Sequence, residues 1–338
     1  MTTVGFMGGK FLPFHLGHLY AFITASNLVD KLYIVLSYSK NRDKELCARD
    51  GIKYMPGEVR ATWLGEAFND IPNIEIITIE DDEWDANYDW EAGVAKIRRA
   101  IPERLTHVFS SEDSYNYRFK KYYPEAEHIV VDSGRNTVNI SATKLRKNVY
   151  EYWHYLPKYV RSFFTKKIAI VGTESTGKST LTTMLAKFYN TSFVHEVGRD
   201  YCIRYKNQLT PPMFESIAME HFILQEKLIH KSNKLMLIDS DAIVTEYYMD
   251  MYCNAESPLI SEIVAKQDYD LVLYLEPDVE WVADGFRFSG EDKQRVINND
   301  RLKRMYIDNG VKIKSIHGSY SDRFFSAQKV IDELFVIK

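Results

Sequence analysis

Apolar side chains in the first half of the chain come in short, largely β-branched blocks: TTVGFM (2–7), KLYIVLSY (31–38), NIEIITI (73–79), THVFSS (106–111) and EHIVVD (127–132). They lack a clean in–out alternation, which suits strands of a parallel sheet covered on both faces. Helix candidates fall between them near 16–28, 57–69, 88–100 and 114–122. Strand alternating with helix predicts βαβ units. The pattern restarts at KKIAIVG (166–172) and continues with strands at SFVH (192–195), KLMLID (234–239), DLVLYLE (270–276) and VKIKSIH (311–317), with helices between. Two sheets are expected, in domains 1–165 and 166–338. The stretch between them, YEYWHYLPKYVRSFFTKK (150–167), is aromatic rather than Gly/Ser-rich, which predicts a packed connection and not a free linker.

Composition narrows the class. A length of 338 residues fits two domains, and 45% hydrophobic with 27% charged residues is an ordinary globular balance. The net charge of −4 argues against a general nucleic-acid binder, and leaves room for a local basic patch. Cys47, Cys202 and Cys253 form neither a metal spacing nor a disulfide framework, which fits a reducing compartment. Nothing reads as a membrane span or a signal peptide, so the expectation is a cytoplasmic chain with no membrane partner, compatible with a homo-oligomer.

The sharpest chemical signal is Gly172-Thr173-Glu174-Ser175-Thr176-Gly177-Lys178-Ser179, followed by Thr180. It satisfies G-x-x-x-x-G-K-[ST] after a strand and before a helix. Glycines let backbone amides turn inward around phosphate oxygens, Lys178 supplies a cation near the β- and γ-phosphates, and Ser179 offers a hydroxyl to Mg²⁺. LMLIDSD (235–241) ends a strand in acids; Asp239 is the Mg²⁺ partner in this reading, while Asp241 could serve as a helix N-cap. A hydroxyl nucleophile would need a carboxylate nearby, which HEVGRDY (195–201) offers as Glu196, followed by Arg199. WVADGFRFSGEDKQR (281–295), with Arg287, reads either as a lid over the nucleotide or as ordinary surface charge.

A second constellation opens the chain. In MGGKFLPFHLGH (7–18), Gly8, Gly9 and Lys10 form a strand-to-helix turn, and His15 and His18 follow three apart at the start of a helix. Ligands of open α/β sheets bind at that carboxyl edge. NISATKLR (139–146) adds Ser141, Thr143 and Arg146 at another helix start, where phosphate binds readily.

GKFLPFHLGH with ISATKLR resembles the H-x-G-H and I-S-x-T-x-x-R motifs of the nucleotidylyltransferase superfamily. Continued through YEYWHYLPKYVRSFF, GTESTGKST, HEVGRDY, IDSD and WVADGFR, the chain resembles the bifunctional NadR family over nearly its whole length. That family joins nicotinamide-mononucleotide (NMN) adenylyltransferase to ribosylnicotinamide kinase. The resemblance implies an N-terminal Rossmann-like nucleotidylyltransferase domain and a C-terminal P-loop kinase domain. It also implies Mg²⁺ as cofactor, with nicotinamide riboside, NMN, ATP and NAD as substrates and products. Some members carry a helix-turn-helix domain before the first strand; with the first strand expected from residue 2, none is expected here. By position, Gly8, Gly9, Lys10, Phe11, His15 and His18 would hold ATP phosphates and Arg42 would touch nucleotide. Trp84 and Trp90 would stack on the nicotinamide ring, and Ser110, Ser111, Glu112, Asn139 and Ile140 would lie on the adenosine side. Glu196, Arg199, Asp239 and Asp241 would serve the riboside.

The two halves pose different problems. The nucleophile of adenylyl transfer is already an anion, so His15, His18, Lys10 and Arg146 would screen charge rather than take a proton. The kinase nucleophile is a neutral hydroxyl, with Glu196 or Asp241 as its base. Two other readings remain open on sequence: a coenzyme A-type adenylyltransferase and kinase, and a nucleotide-sensing regulator with little turnover.

Overall fold

The computed structural model describes residues 2–81, 89–279 and 292–335. The chain divides into two compact units, Met1–Phe164 and Thr165–Lys338.

In the first unit the strands are β1 (Val4–Gly9), β2 (Lys31–Tyr38), β3 (Ile74–Glu80), β4 (His107–Ser110) and β5 (Glu127–Val130). The helices are α1 (Leu16–Ser26), α2 (Lys40–Arg49), α3 (Gly57–Phe68), α4 (Trp90–Ala100), α5 (Asn116–Tyr122), α6 (Ala142–Lys147) and α7 (Lys158–Phe164). The sheet order is β3-β2-β1-β4-β5, and every pair is parallel. Along β2 the side chains divide by parity: Leu32, Ile34 and Leu36 join the cluster under α1, α3 and α7, whereas Tyr33 and Val35 join the one under α4 and α5. Both faces are covered, which is why the sequence shows a continuous apolar run.

The aromatic stretch after α6 packs as the sequence predicts, against the first unit. Phe164 is buried, Phe163 meets Trp63 edge-to-face at 5.5 Å, and the Tyr150 hydroxyl donates to the Phe164 carbonyl at 2.9 Å. Helix α2 escaped the periodicity reading for a physical reason. Its KNRDKELCAR sequence has no apolar stripe, and it buries only Asp43 and Cys47, four residues apart.

In the second unit the strands are β6 (Lys166–Val171), β7 (Phe193–Val194), β8 (Leu235–Asp239), β9 (Leu271–Leu275) and β10 (Ile313–Ile316). The helices are α8 (Lys178–Phe188), α9 (Val197–Tyr205), α10 (Pro211–Leu228), α11 (Ala242–Cys253), α12 (Pro258–Lys266), α13 (Asp292–Asp308) and α14 (Tyr320–Glu333). The order β10-β9-β6-β8-β7 is again wholly parallel. Ile168 and Ile170 pack beneath α8 and α14, and Ala169 and Val171 face the core built from α9 to α13. In each sheet the strand order reverses at the first strand, β1 or β6. Such a reversal opens a crevice at the carboxyl edge. No helix of the described residues is long and apolar enough to cross a membrane.

Candidate functional sites

The first crevice lies beyond β1. Gly8 and Gly9 are the last two strand residues, paired with Val35 and Leu36, and not part of the turn the sequence suggested. The parallel ladder with β2 holds them extended. The turn begins at Lys10 and Phe11. Phe11 has a left-handed backbone (φ 47°) and a buried ring wedged edge-on between His18 and Phe22. Its side chain therefore belongs to the core, and only its backbone can serve a ligand.

His15 is the N-cap of α1. Its Nδ1 accepts from the backbone amides of Gly17 at 3.1 Å and His18 at 3.4 Å. That bond places the ring proton on Nε2, so His15 is at once a cap and a neutral donor. His18 stacks on it with ring centroids 3.7 Å apart. The His18 Nδ1 is buried without a hydrogen-bond partner.

Cations converge on this turn. Burial first, then Arg42, Arg146 and Arg60, push the Lys10 ammonium below its ordinary value, while Asp43 opposes them. Arg60, fully buried on α3, donates to the Lys10 carbonyl at 2.7 Å and to the Asp43 carboxylate at 2.7 Å. Arg42 Nη2 is buried without a partner. Arg146 is tied to Asp50 at 2.7 Å, to the Leu12 carbonyl at 2.9 Å and to the Thr143 hydroxyl at 3.2 Å. A cluster this dense in like charge is stable only against an anion or with its counter-carboxylates in place.

Burial, with Arg135 nearby, holds both imidazoles far below their ordinary value, His18 down to about 3. An unfolded chain protonates these rings below about pH 6.5, and the folded chain resists until much lower pH. Stability present above pH 6.5 is therefore lost as the pH falls. For His18 the difference at pH 5 is at most about 2 kcal/mol, and its partly exposed edge trims this toward 1. Four of the five tryptophans precede residue 165, so urea melts followed by tryptophan fluorescence report chiefly on the first unit. Between pH 7.5 and pH 5 the wild type should lose more stability than His18→Gln by about 1–2 kcal/mol; parallel losses would refute the assignment.

Other sequence-chosen residues of this unit carry structural duties. Ser110 donates its hydroxyl to the Glu112 carbonyl at 3.0 Å and lies 2.8 Å from His128 Nε2. Its hydroxyl is thus engaged, while Ser111 and Glu112 follow on the carboxyl edge of β4. Ser141 caps α6 through the Lys144 amide at 3.2 Å, Ile140 is buried in the core, and Asn139 and Thr143 are exposed. Trp90 packs into the α5 face, with Tyr122 parallel to its ring at 6.2 Å and Arg118 over it at 4.9 Å. Stacking on a ligand is therefore replaced by stacking within the fold. Trp84 lies outside the described residues. Arg60 and Arg135 were missed; a lone arginine in a helix or loop carries no spacing signal.

The second crevice opens beyond β6 as a cavity of about 350 Å³. The loop Gly172–Gly177 enters α8 with Gly172 at φ 145° and Gly177 at φ 84°. A Cβ on Gly172 would stand 2.6 Å from the Leu275 carbonyl oxygen, so glycine is required there twice over. Ser175 is also left-handed, at φ 59°. The Thr173 carbonyl accepts from the Thr176 hydroxyl at 2.9 Å and from Lys178 Nζ at 3.0 Å. Thr180 is exposed on α8.

Asp239 ends β8 almost wholly buried, with Oδ1 unpartnered. Burial and the Glu196 carboxylate raise its carboxyl to about 7, against Lys178, the Ser179 hydroxyl and Arg199. A buried carboxylate oxygen without a donor, beside a hydroxyl, suits a hard divalent cation whose remaining ligands are phosphate and water. Among the described residues no group of three or more His, Cys, Asp or Glu forms a self-sufficient metal site.

Asp241 is the N-cap of α11, as one sequence reading had it. Its Oδ1 accepts from the Val244 amide at 3.0 Å and from the Tyr306 hydroxyl at 2.8 Å. Its Oδ2 is buried without a partner at the cavity, and burial raises its carboxyl to about 6. Glu196 stands at the N-cap position of α9 without a side-chain cap bond, part-exposed on the cavity wall, and Arg199 is exposed one turn later. Glu174 accepts from the Tyr252 hydroxyl at 2.6 Å.

Sequence reading missed the far wall: Phe214, Ile217 and His221 from α10, with Tyr248 and Tyr252 from α11. Tyr248 and Tyr252 are parallel, 5.7 Å apart. His221 is buried with Nε2 unpartnered, and burial lowers its ring to about 4. The spacing 214, 217, 221 is the helical stripe that could have revealed it. Arg287 lies outside the described residues.

Residues 167–323 match the AAA domain family. Two curated proteins, each the trifunctional NAD biosynthesis/regulator protein NadR, are 29% identical over 98% of this chain and 83% of their own length. They come from Salmonella typhimurium (strain LT2) and Escherichia coli (strain K12). A phosphopantetheine adenylyltransferase from Mycoplasma mycoides is 30% identical over 41% of the chain and 91% of that protein. A solved NadR protein in complex with NR superposes with a TM-score of 0.81 at 25% identity, covering 100% of this chain and 97% of that one. Another, in complex with NAD and AMP-PNP, has a TM-score of 0.79 at 24% identity over the same shares and speaks for the fold.

Proposed function

The chain belongs to the NadR family, and on that premise we propose that it makes NAD from nicotinamide riboside in two ATP-dependent steps, one per unit. The observation that carries this reading is that one chain holds two turns rich in glycine and basic residues at the switch points of two parallel sheets, in a sequence aligned with NadR over 98% of its length.

In the second unit ATP lies along the Gly172–Gly177 loop and Lys178 neutralises the migrating phosphoryl group. The riboside fills the cavity between α10 and α11. Glu196 accepts the proton of its 5′-hydroxyl as the oxygen attacks the γ-phosphorus and the bond to ADP breaks. Ser179 and Asp239 would hold Mg²⁺, which supplies charge neutralisation on the β- and γ-oxygens when bound.

In the first unit the 5′-phosphate of NMN attacks the α-phosphorus of a second ATP, and pyrophosphate leaves. No proton has to be removed from the nucleophile. Lys10, Arg42 and Arg146 lower the repulsion between two anions, and the His15 Nε2–H and the His18 ring add neutral donors that do not titrate away near neutral pH.

A second reading has one observation in its favour: the phosphopantetheine adenylyltransferase match over 41% of the chain, which would make the chain a coenzyme A-type enzyme. Offering nicotinamide riboside and dephospho-coenzyme A as phosphoryl acceptors, with NMN and phosphopantetheine as adenylyl acceptors, separates the two. The proposal requires turnover with the nicotinamide compounds; turnover only with the pantetheine compounds would replace it.

A further inference from the structure

Arg323, on the first turn of α14, is 1% exposed. It lies 145 residues beyond Lys178 in sequence, outside every motif that points to phosphate. Its guanidinium nevertheless joins three segments around the phosphate loop. Nη1 donates to the Thr176 carbonyl, Nη2 to the Glu276 carbonyl at 2.7 Å and to the Asp278 carboxylate, and Nε to the Gly318 carbonyl at 2.8 Å. These acceptors lie in the loop before α8, in the segment after β9 and in the turn before α14.

The Thr176 contact has a directional consequence. In a trans peptide the carbonyl and the following N–H point opposite ways. Holding the Thr176 carbonyl toward α14 turns the Gly177 N–H away from it, into the cavity that Gly177 and Lys178 line. Gly177 is itself left-handed, and a Cβ there would stand 2.9 Å from the Tyr320 ring, so α14 braces this peptide from two residues. Two exposed lysines in place of the arginine would not reproduce this, because only a planar fork reaches separate acceptors with fixed geometry.

We propose that Arg323 is a positioning residue for ATP in the second unit, fixing the Thr176–Gly177 peptide so that the Gly177 amide presents to a phosphate oxygen. The inference rests on the kinase reading of that unit. It predicts a defect confined to ATP, because Arg323 is not among the residues lining the cavity where the riboside would lie.

The test is steady-state riboside phosphorylation by the full chain, varying ATP and nicotinamide riboside in turn, with adenylyl transfer to supplied NMN as an internal reference. Arg323→Lys should raise the KM for ATP by about 10-fold or more, change the KM for riboside less than twofold, and leave adenylyl transfer intact. An ATP KM within twofold of wild type, or equal rises for both substrates, would overturn the inference. If Arg323→Lys melts below the assay temperature, Asp278→Asn decides. It takes the negative charge from one of the four acceptors at a part-exposed position, and a rise of about threefold in the KM for ATP alone is expected; no rise overturns the inference. A wild-type chain that does not phosphorylate riboside would instead sink the kinase reading, and this inference with it.

Discussion

Replacing Lys178 with alanine should lower riboside phosphorylation by at least about 10³-fold, the scale set by removing a cation from a transferring phosphoryl group. Adenylyl transfer to supplied NMN should stay within twofold of wild type. Lys178 is buried, and its Nζ rests 3.0 Å from the Thr173 carbonyl. It is therefore held at the loop before any nucleotide arrives. The side chain is buried, so Lys178→Met is the better control for shape: it keeps the packing and loses the charge. Arginine should not rescue, because its broad planar fork does not fit the space of a compact ammonium. Separate assays of the two steps, with a thermal melt for each variant, check the result. Loss of both activities in a folded variant would contradict independent sites.

The mirror experiment is His18→Ala, expected to lower adenylyl transfer by about 10²–10³-fold, as loss of one donor to a developing oxyanion does, with riboside phosphorylation unchanged. The effect should fall on kcat more than on the KM for NMN, because charge on departing pyrophosphate develops in the transition state. His18 also packs edge-to-face on Phe11 at 5.1 Å, so His18→Gln accompanies it to restore volume. His15 needs a different design. Alanine would remove both the donor and the cap of α1, the latter alone costing about 1 kcal/mol. Asparagine keeps an acceptor for the Gly17 and His18 amides. His15→Asn should therefore keep the stability that His15→Ala loses, while both lose activity. Equal melts for the two would show that the cap has no energetic weight.

The strands, the sheet class and the change of unit near residue 165 were readable because buried parallel strands leave dense apolar blocks. The loop Gly172–Gly177 was readable because its glycines and Lys178 sit at fixed offsets from a strand end, whereas Gly8 and Gly9 read as a turn and lie in β1. What escaped did so for specific reasons. Helix α2 shows no stripe, since its buried positions are only Asp43, paired to Arg60, and Cys47. Arg60 and Arg323 reach their sites from helices remote in sequence, and only the fold brings a guanidinium to a loop carbonyl. Roles for Ser110, Ser141 and Trp90 were drawn from motif position. Local geometry gives these side chains work as a turn, a cap and a packed ring, which no spacing rule distinguishes from ligand contact. The bond that Asp241 accepts from Tyr306, 65 residues away, likewise leaves no trace in the sequence pattern.

The central claim is that each unit holds its own triphosphate. Equilibrium dialysis of the intact chain against a non-hydrolysable ATP analogue with Mg²⁺ tests it directly. The wild type should bind two nucleotides per chain and Lys178→Ala one, while His18→Ala, whose donor acts in the transition state, should keep two. A wild-type stoichiometry of one, or loss of both nucleotides on a single substitution that leaves the chain folded, would contradict it.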